Sequence, residues 1–189
     1  GESVLSERNI SQKSLQNLSQ YNKEHRRLTR EALETALLAL LESKELASIS
    51  ISELVKRAGV SRNAYYRNYK SKEAIFESIL EGSVKRIFAG LKPFNLKTQT
   101  YQAWLYLFSE AKKEGQLLAI LFRQNSEKLL IAIVAKRLRA YQKLTGKQLS
   151  QYIISFWSNA IISVLEKWVA EDMSVSEEEL AGIGLPLLP

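Results

Sequence analysis

A short segment of the chain concentrates positive charge, hydrogen-bonding side chains and aromatic rings. From Leu54 to Lys72 the sequence holds six cations and no acidic residue. The net charge is +7, and residues 1–100 hold 17 Lys/Arg against 11 Asp/Glu, whereas residues 101–189 hold 10 against 9. A concentrated positive field with aromatic rings inside it favours a polyanionic partner, most commonly nucleic acid. Charge alone fits a solvated basic face equally well.

The elements that would position these side chains are two short helices joined by a tight turn. Ser50 stands three residues before Glu53, which is the capping-box spacing at a helix start. Gly59 can adopt the left-handed conformation that often ends a helix, and Ser61 can cap a second helix. This pattern predicts a helix-turn-helix between about Ser50 and Tyr69, with the second helix suited to the major groove of DNA.

The predicted recognition helix carries side chains that suit base edges and phosphates. Arg62 can bind guanine with two hydrogen bonds, and Asn63 can bind adenine in the same way. We expect Ala64 and Tyr65 to pack inward instead, because their spacing matches the apolar core stripe. The residues predicted to contact DNA are Ser50, Ser52, Arg62, Asn63, Tyr66, Arg67, Asn68, Lys70 and Lys72.

Some of these residues have a second interpretation. Ser50 is first a helix cap, and a phosphate contact would be its second use. Arg67 could be no more than solvated surface. Lys70 and Lys72 lie beside a further predicted helix start at Ser71, where the positive end of the helix dipole favours a phosphate.

The same segment resembles the DNA-binding region of the TetR family of bacterial regulators. Residues 50–61 are SISELVKRAGVS and residues 65–73 are YYRNYKSKE. The family pattern is an A-G-V-S turn, a Y-x-x-[FY] recognition helix and an S-K-E start to the fourth helix. The resemblance covers roughly residues 28–80, and the sequence departs from the usual pattern at Asn68, where histidine is more frequent, and at Tyr69, where phenylalanine is usual.

The resemblance implies a role for several residues. It implies base or phosphate contacts from Arg62, Asn63, Tyr66 and Asn68, with Lys72 on the DNA backbone and Ser52 near a phosphate. It also implies that residues 73–189 form a larger helical domain, in which the last long helices pair across a two-fold axis and a cavity often holds a small effector.

The rest of the chain predicts further helices and no sheet. Apolar residues recur at helical spacing, and no alternating run or Asn-Gly turn signals a hairpin. We therefore expect an all-α protein with an N-terminal three-helix helix-turn-helix domain and a larger helical ligand-binding and dimerisation domain. The expected division is a polar arm at residues 1–27, a DNA-binding domain at 28–72 and an effector-binding and dimerisation domain at 73–189. The arm is expected to be flexible or to form a short added helix, ahead of a first helix that begins near Thr29.

Two partners are expected for the second domain. The uncharged segment from Gln148 to Leu165 has more apolar surface than a small monomer covers, which indicates a homodimer through helices that include residues 148–170. A membrane span there is a remote alternative, because polar residues interrupt the segment. Aromatic residues could line a pocket for a small apolar effector, although such stripes are more often core. The candidate effector residues are Tyr101, Trp104, Phe108, Phe122, Tyr152 and Phe156.

Composition disfavours catalysis and metal binding. The chain has no cysteine and one histidine, His25, so neither a thiolate site nor a histidine cluster can form. We expect no cofactor, no metal, no enzymatic activity and a cytoplasmic location. The expected function is that of a repressor released from a palindromic operator by a small apolar effector. The alternative is a DNA-binding regulator without an effector, which answers to a protein partner or acts structurally.

Overall fold

The computed structural model describes residues 2–146 and 148–187, which form helices and no strand. The all-α prediction is confirmed. The chain divides into two compact units between Phe76 and Glu77. A 3-10 turn lies at Leu46–Ser48. The α-helices are α1 Glu2–Leu41, α2 Ile51–Ala58, α3 Arg62–Asn68, α4 Lys72–Ala89, α5 Thr100–Lys113, α6 Gly115–Arg123, α7 Glu127–Thr145, α8 Gln151–Ala170 and α9 Glu177–Ala181.

Helix α1 differs most from the sequence prediction. It is one helix of 40 residues, so the segment expected to be a flexible arm or a short added helix is continuous with the first core helix. No glycine or proline interrupts residues 2–41, and a helix propagates easily once a turn has formed. The side chains of residues 3–28 are exposed throughout, which is why their weak periodicity gave no helical signal.

The first unit packs α2 and α3 against the C-terminal half of α1. The α1 stripe is buried at Leu33, Leu37 and Leu41, and Leu54 of α2 and Tyr65 of α3 complete the core with no exposed surface. Short helices of this kind are held mainly by such packing, because an isolated eight-residue helix is unstable in water.

The second unit pairs α7 with α8 and α5 with α9. Its centre is an aromatic cluster in which Trp104 stacks on Trp157 at a centroid distance of 6.2 Å and on Phe108 at 5.3 Å. Phe108 also meets Trp168 edge to face at 5.7 Å. Offset and edge-on geometries of this kind are the favourable ones for aromatic rings.

Helix α9 was not expected from the sequence. Ser176 caps it by accepting a hydrogen bond from the backbone N–H of Glu179, at 3.1 Å. Leu180 and Ala181 are buried. The Ser-x-x-Glu spacing is the same start signal that marks α2, so it could have revealed this helix. Among the described residues, no helix is long and apolar enough to cross a membrane.

Candidate nucleic-acid interface

The turn between α2 and α3 has the geometry that its residues predict. The Ser50 hydroxyl caps α2 by accepting the Glu53 N–H at 3.1 Å, and the Ser61 hydroxyl caps α3 by accepting the Ala64 N–H at 3.0 Å. Gly59 ends α2 with φ +68°, a conformation that other residues adopt only at a cost. Hydrogen bonding to Lys44 lowers the pKa of the Glu53 carboxyl. Ser50 therefore has the capping role expected of it.

Three of the predicted contact residues form one cluster at the start of α3. The Arg62 guanidinium donates to the Ser52 hydroxyl at 2.9 Å, across the turn. The same guanidinium lies 5.9 Å from the ring centroid of Tyr66, within the range of a cation–π contact. All three side chains are exposed, and Tyr66 is 53% exposed. The arginine is thus held in place while donors remain open to a ligand.

The opposite face of α3 belongs to the core, as predicted. Ala64 and Tyr65 are buried, and burial raises the pKa of the Tyr65 hydroxyl. Tyr69 is also buried, and its hydroxyl donates to Glu34 of α1 at 3.1 Å while Arg30 stacks over its ring at 4.9 Å. The departure from phenylalanine at Tyr69 therefore adds a hydrogen bond as well as filling the core.

Two of the predicted contact residues, Lys72 and Asn68, form hydrogen bonds within the protein. The Lys72 ammonium donates to the carbonyl oxygens of Ile49 at 2.7 Å and Ala47 at 3.1 Å, which stabilises the end of the 3-10 turn. The Asn68 amide donates to the Ala64 carbonyl at 2.7 Å, within its own helix. Both side chains thus satisfy backbone carbonyls and keep further hydrogen-bonding capacity, so their contact with DNA stays a prediction.

The remaining predicted residues are exposed around α3. Asn63, Arg67 and Lys70 present their side chains to solvent, and none of them makes an ion pair within the described residues. Arg62, Asn63, Tyr66 and Arg67 therefore share one exposed, cationic and aromatic helix surface. DNA contact by these residues is a proposal that follows from that surface.

The predicted effector residues differ widely in exposure. Tyr152 is 77% exposed, Phe156 66% and Tyr101 44%, while Trp104 is packed in the aromatic cluster. Phe122 is half-buried, and Phe108 alone of the six lines the apolar cavity between α4 and α8. Helical spacing identifies apolar faces but does not tell a buried face from an exposed one, so a role in effector binding stays a prediction for these residues.

One apolar cavity of the second unit has a volume of about 90 Å³. Its walls come from five helices, and the sequence prediction named no residue from α4 or α7, whose apolar stripes were the available signal. Within the described residues no group of three or more His, Cys, Asp or Glu side chains could hold a metal. The cavity wall includes Leu80, Val84, Ile87, Phe88, Leu107, Phe108, Ala111, Leu118, Leu130, Val134, Trp157 and Ile161.

Comparison with known proteins identifies the first unit. Residues 34–79, which contain α2 and α3, match the family model for bacterial regulatory proteins, tetR family. Residues 34–79 form a tetR-family domain. This confirms the resemblance inferred from the turn and recognition-helix residues.

Curated relatives agree over parts of the chain. The HTH-type transcriptional regulator EthR of Mycolicibacterium smegmatis is 43% identical over 61 residues, which are 30% of this chain and 28% of that protein. The nucleoid occlusion factor SlmA of Marinobacter nauticus is 25% identical over 123 residues, which are 65% of this chain and 60% of that protein. The matched segments thus span less than two thirds of either relative.

A solved structure shares the fold beyond the tetR-family domain. Lin0861 from Listeria innocua superposes with a TM-score of 0.73 at 19% identity, over 82% of this chain and 86% of that one. At this level of identity the similarity concerns the fold alone.

Proposed function

We propose that this chain is a sequence-specific DNA-binding transcriptional regulator whose helix α3 enters the major groove. The observation that carries the proposal is the position of Arg62, which Ser52 and Tyr66 hold at the exposed N-terminal end of α3. Recognition helices of this type place their N-terminal residues at base edges. A pre-ordered guanidinium suits the two acceptors of guanine.

The neighbouring residues divide into two proposed roles. Asn63 follows Arg62 on the exposed surface and suits the donor and acceptor of adenine. Tyr66, Arg67 and Lys70 are proposed to bind phosphates, which fixes orientation and adds affinity without sequence information. Ser50, Asn68 and Lys72 are proposed to act mainly by holding the motif together.

The test begins with selection of bound duplexes from a random pool, which would also show whether the operator is palindromic. Arg62→Ala should then lose about 1–3 kcal/mol of discrimination at one guanine position of the selected site. Arg139→Ala is the matched control, because it removes the same charge from an exposed position on α7, outside the tetR-family domain. If Arg62→Ala keeps the full preference for the operator, the proposal that α3 enters the major groove is wrong.

We further propose that the regulator is a repressor, released from its operator by a small apolar effector. The support is the cavity of about 90 Å³ in the second unit, with a wall that is almost wholly apolar. Ligand pockets are usually larger, about 300 Å³ or more, so the effector would be small or would widen the cavity on binding. A charged compound would lose its hydration there without a partner.

Two observations support the alternative function, a DNA-binding regulator without a small-molecule effector. The cavity is small, and the relative matched over 65% of this chain is named as a nucleoid occlusion factor. Thermal unfolding in the presence of a panel of apolar compounds separates the two, since a ligand that binds only the native state must raise the melting temperature. Ala111→Leu, which fills part of the cavity, should abolish that rise and leave operator binding intact.

A further inference from the structure

The middle of α1, from Leu15 to Thr29, forms a groove with the recognition helix. The groove has a volume of about 550 Å³. One wall comes from α1 and the other from α3, where Ala64, Arg67 and Asn68 line it. Its lining residues are Leu15, Leu18, Ser19, Asn22, His25, Arg26, Thr29, Ala64, Arg67 and Asn68.

The charge of the groove is positive on both walls. Arg26 stands on the α1 wall and Arg67 on the α3 wall, and no carboxylate lines the groove. Neither arginine forms an ion pair with any described residue, in contrast to Arg27, which pairs with Glu24 and Glu31. The groove thus presents two guanidinium groups without an acidic partner, whereas the neighbouring arginine on α1, Arg27, is neutralised by two carboxylates.

The N-terminal part of α1 is also cationic and polar beyond the groove. Between Glu7 and Glu24 it carries three cations and no acid, and most of its other residues are Ser, Asn and Gln. It also exposes apolar side chains, with Leu15 63% and Leu18 56% exposed. Because the side chains of this part of α1 are exposed, its cationic and apolar groups are accessible to a partner.

We propose that this groove binds the sugar-phosphate backbone of one DNA strand, which makes the α1 extension a second DNA-contacting element beside α3. The proposal rests on the proposed function. A backbone strand presents anionic phosphates to Arg26 and Arg67 and the apolar faces of deoxyribose to Leu15 and Leu18, so it matches both kinds of lining. The groove is also continuous with the recognition helix through Arg67 and Asn68.

The test compares two neighbouring arginines in the full chain. Arg26→Ala should weaken binding to the selected operator and to an unrelated duplex alike, by roughly five- to tenfold, because phosphate contacts carry no sequence information. The slope of log affinity against log salt should fall in magnitude by about 0.9. Arg27→Ala lowers the net charge equally but removes an arginine that is already paired, so its slope should stay near that of the parent protein.

Each outcome bears on one proposal. Equal slopes for Arg26→Ala and Arg27→Ala would overturn the groove contact, while loss of discrimination in Arg62→Ala would still support α3 in the major groove. Unchanged binding in both Arg62→Ala and Arg26→Ala would overturn the proposed function itself. If Leu15→Ser/Leu18→Ser alters the mass of the protein in solution and leaves the salt slope unchanged, the groove is a protein–protein contact and the proposal fails.

Discussion

Two buried tyrosines of the recognition segment differ in the hydrogen bonding of their hydroxyl groups. Tyr65 and Tyr69 lie one turn apart and are both buried. The Tyr69 hydroxyl donates to Glu34, whereas the buried Tyr65 hydroxyl meets no hydrogen-bond partner among the described residues. A satisfied buried hydroxyl stabilises the fold, and an unsatisfied one costs free energy of desolvation.

The two phenylalanine variants should therefore behave differently. Tyr69→Phe should lower the free energy of unfolding by about 0.5–1.5 kcal/mol, because a hydrogen bond is lost. Tyr65→Phe should be neutral or stabilising, because it removes only the desolvated oxygen. Denaturant unfolding followed by far-ultraviolet circular dichroism measures both. A larger loss for Tyr65→Phe would show that its hydroxyl has a partner.

Residue types in the segment predicted most of these local arrangements, but not the internal use of two polar side chains. Serine and glycine at set spacings predicted the caps of α2 and α3 because capping depends on local sequence alone. The bonds of Lys72 to the carbonyls of Ala47 and Ile49 depend on a tertiary approach across more than twenty residues. No local pattern records such an approach.

At the scale of elements, two glycines in and after α4 make a matched test. A Cβ added at Gly90 would overlap the hydroxyl and ring of Tyr106, whose hydroxyl donates to the Ile87 carbonyl at 2.7 Å. A Cβ at Gly82, inside α4, would meet open space. The first glycine is required by close packing and the second is not.

We expect opposite effects on the stability of the second unit. Gly90→Ala should lower the free energy of unfolding by about 1–3 kcal/mol through overpacking. Gly82→Ala should raise it by about 0.4–1 kcal/mol, since alanine favours the helix and restricts the unfolded chain. Chemical denaturation checks both. A stabilising Gly90→Ala would mean that Tyr106 does not occupy this site.

An ion cluster joins α4 to α5, and it predicts how the stability of the second unit depends on pH. Arg86 donates to Glu110 at 2.8 Å and to Glu114 at 2.6 Å. Hydrogen bonds from Arg86 and then from Lys113 hold the pKa of Glu110 below its ordinary value of 4.5. A lowered folded-state pKa adds stability that is complete above the unfolded value and is lost as the pH falls through the folded value.

The contribution should therefore be present at pH 7 and should decline once the pH falls below about 4.5. Because Arg86 is half exposed, we expect Glu110→Gln to cost under about 1 kcal/mol at pH 7. The difference between the parent protein and Glu110→Gln should shrink toward zero in acid. Unfolding curves at pH 7 and pH 3 measure it, and a constant difference would exclude the ionised carboxylate as its source.

Element types were predictable, and their extents were less so. The core stripe of α1 follows the helical period, but its exposed extension carries no stripe strong enough to predict its 40-residue length. Likewise the aromatic residues of α8 marked a helix without showing that Tyr152 and Phe156 face outward. Exposure depends on the neighbouring helices, which periodicity does not specify.

At the scale of the whole molecule, the exposed start of α8 supports the homodimer proposed through residues 148–170. Tyr152 and Phe156 lie one turn apart and are 77% and 66% exposed, with Ile153 at 36% between them. Apolar side chains grouped in this way usually mark an interface. A dimer would also provide the second recognition helix that a palindromic operator requires.

Replacing the aromatic group at this surface should separate the protomers. We expect Phe156→Ser to halve the mass measured by light scattering and to weaken binding to the two-half-site operator more than to a single half-site. Ile183→Ser is the control, since Ile183 is 63% exposed and follows α9, outside α8. An unchanged mass for Phe156→Ser would place the dimer contact elsewhere.

The tryptophans give the molecule an internal optical reporter. All three, Trp104, Trp157 and Trp168, lie in the second unit, where two of them stack at 6.2 Å, while the tetR-family domain contains none. Indole fluorescence excited selectively near the red edge of absorption will therefore follow the second unit alone. Melting of the first unit will be silent in that emission, and ellipticity, which detects helices throughout the chain, will reveal it.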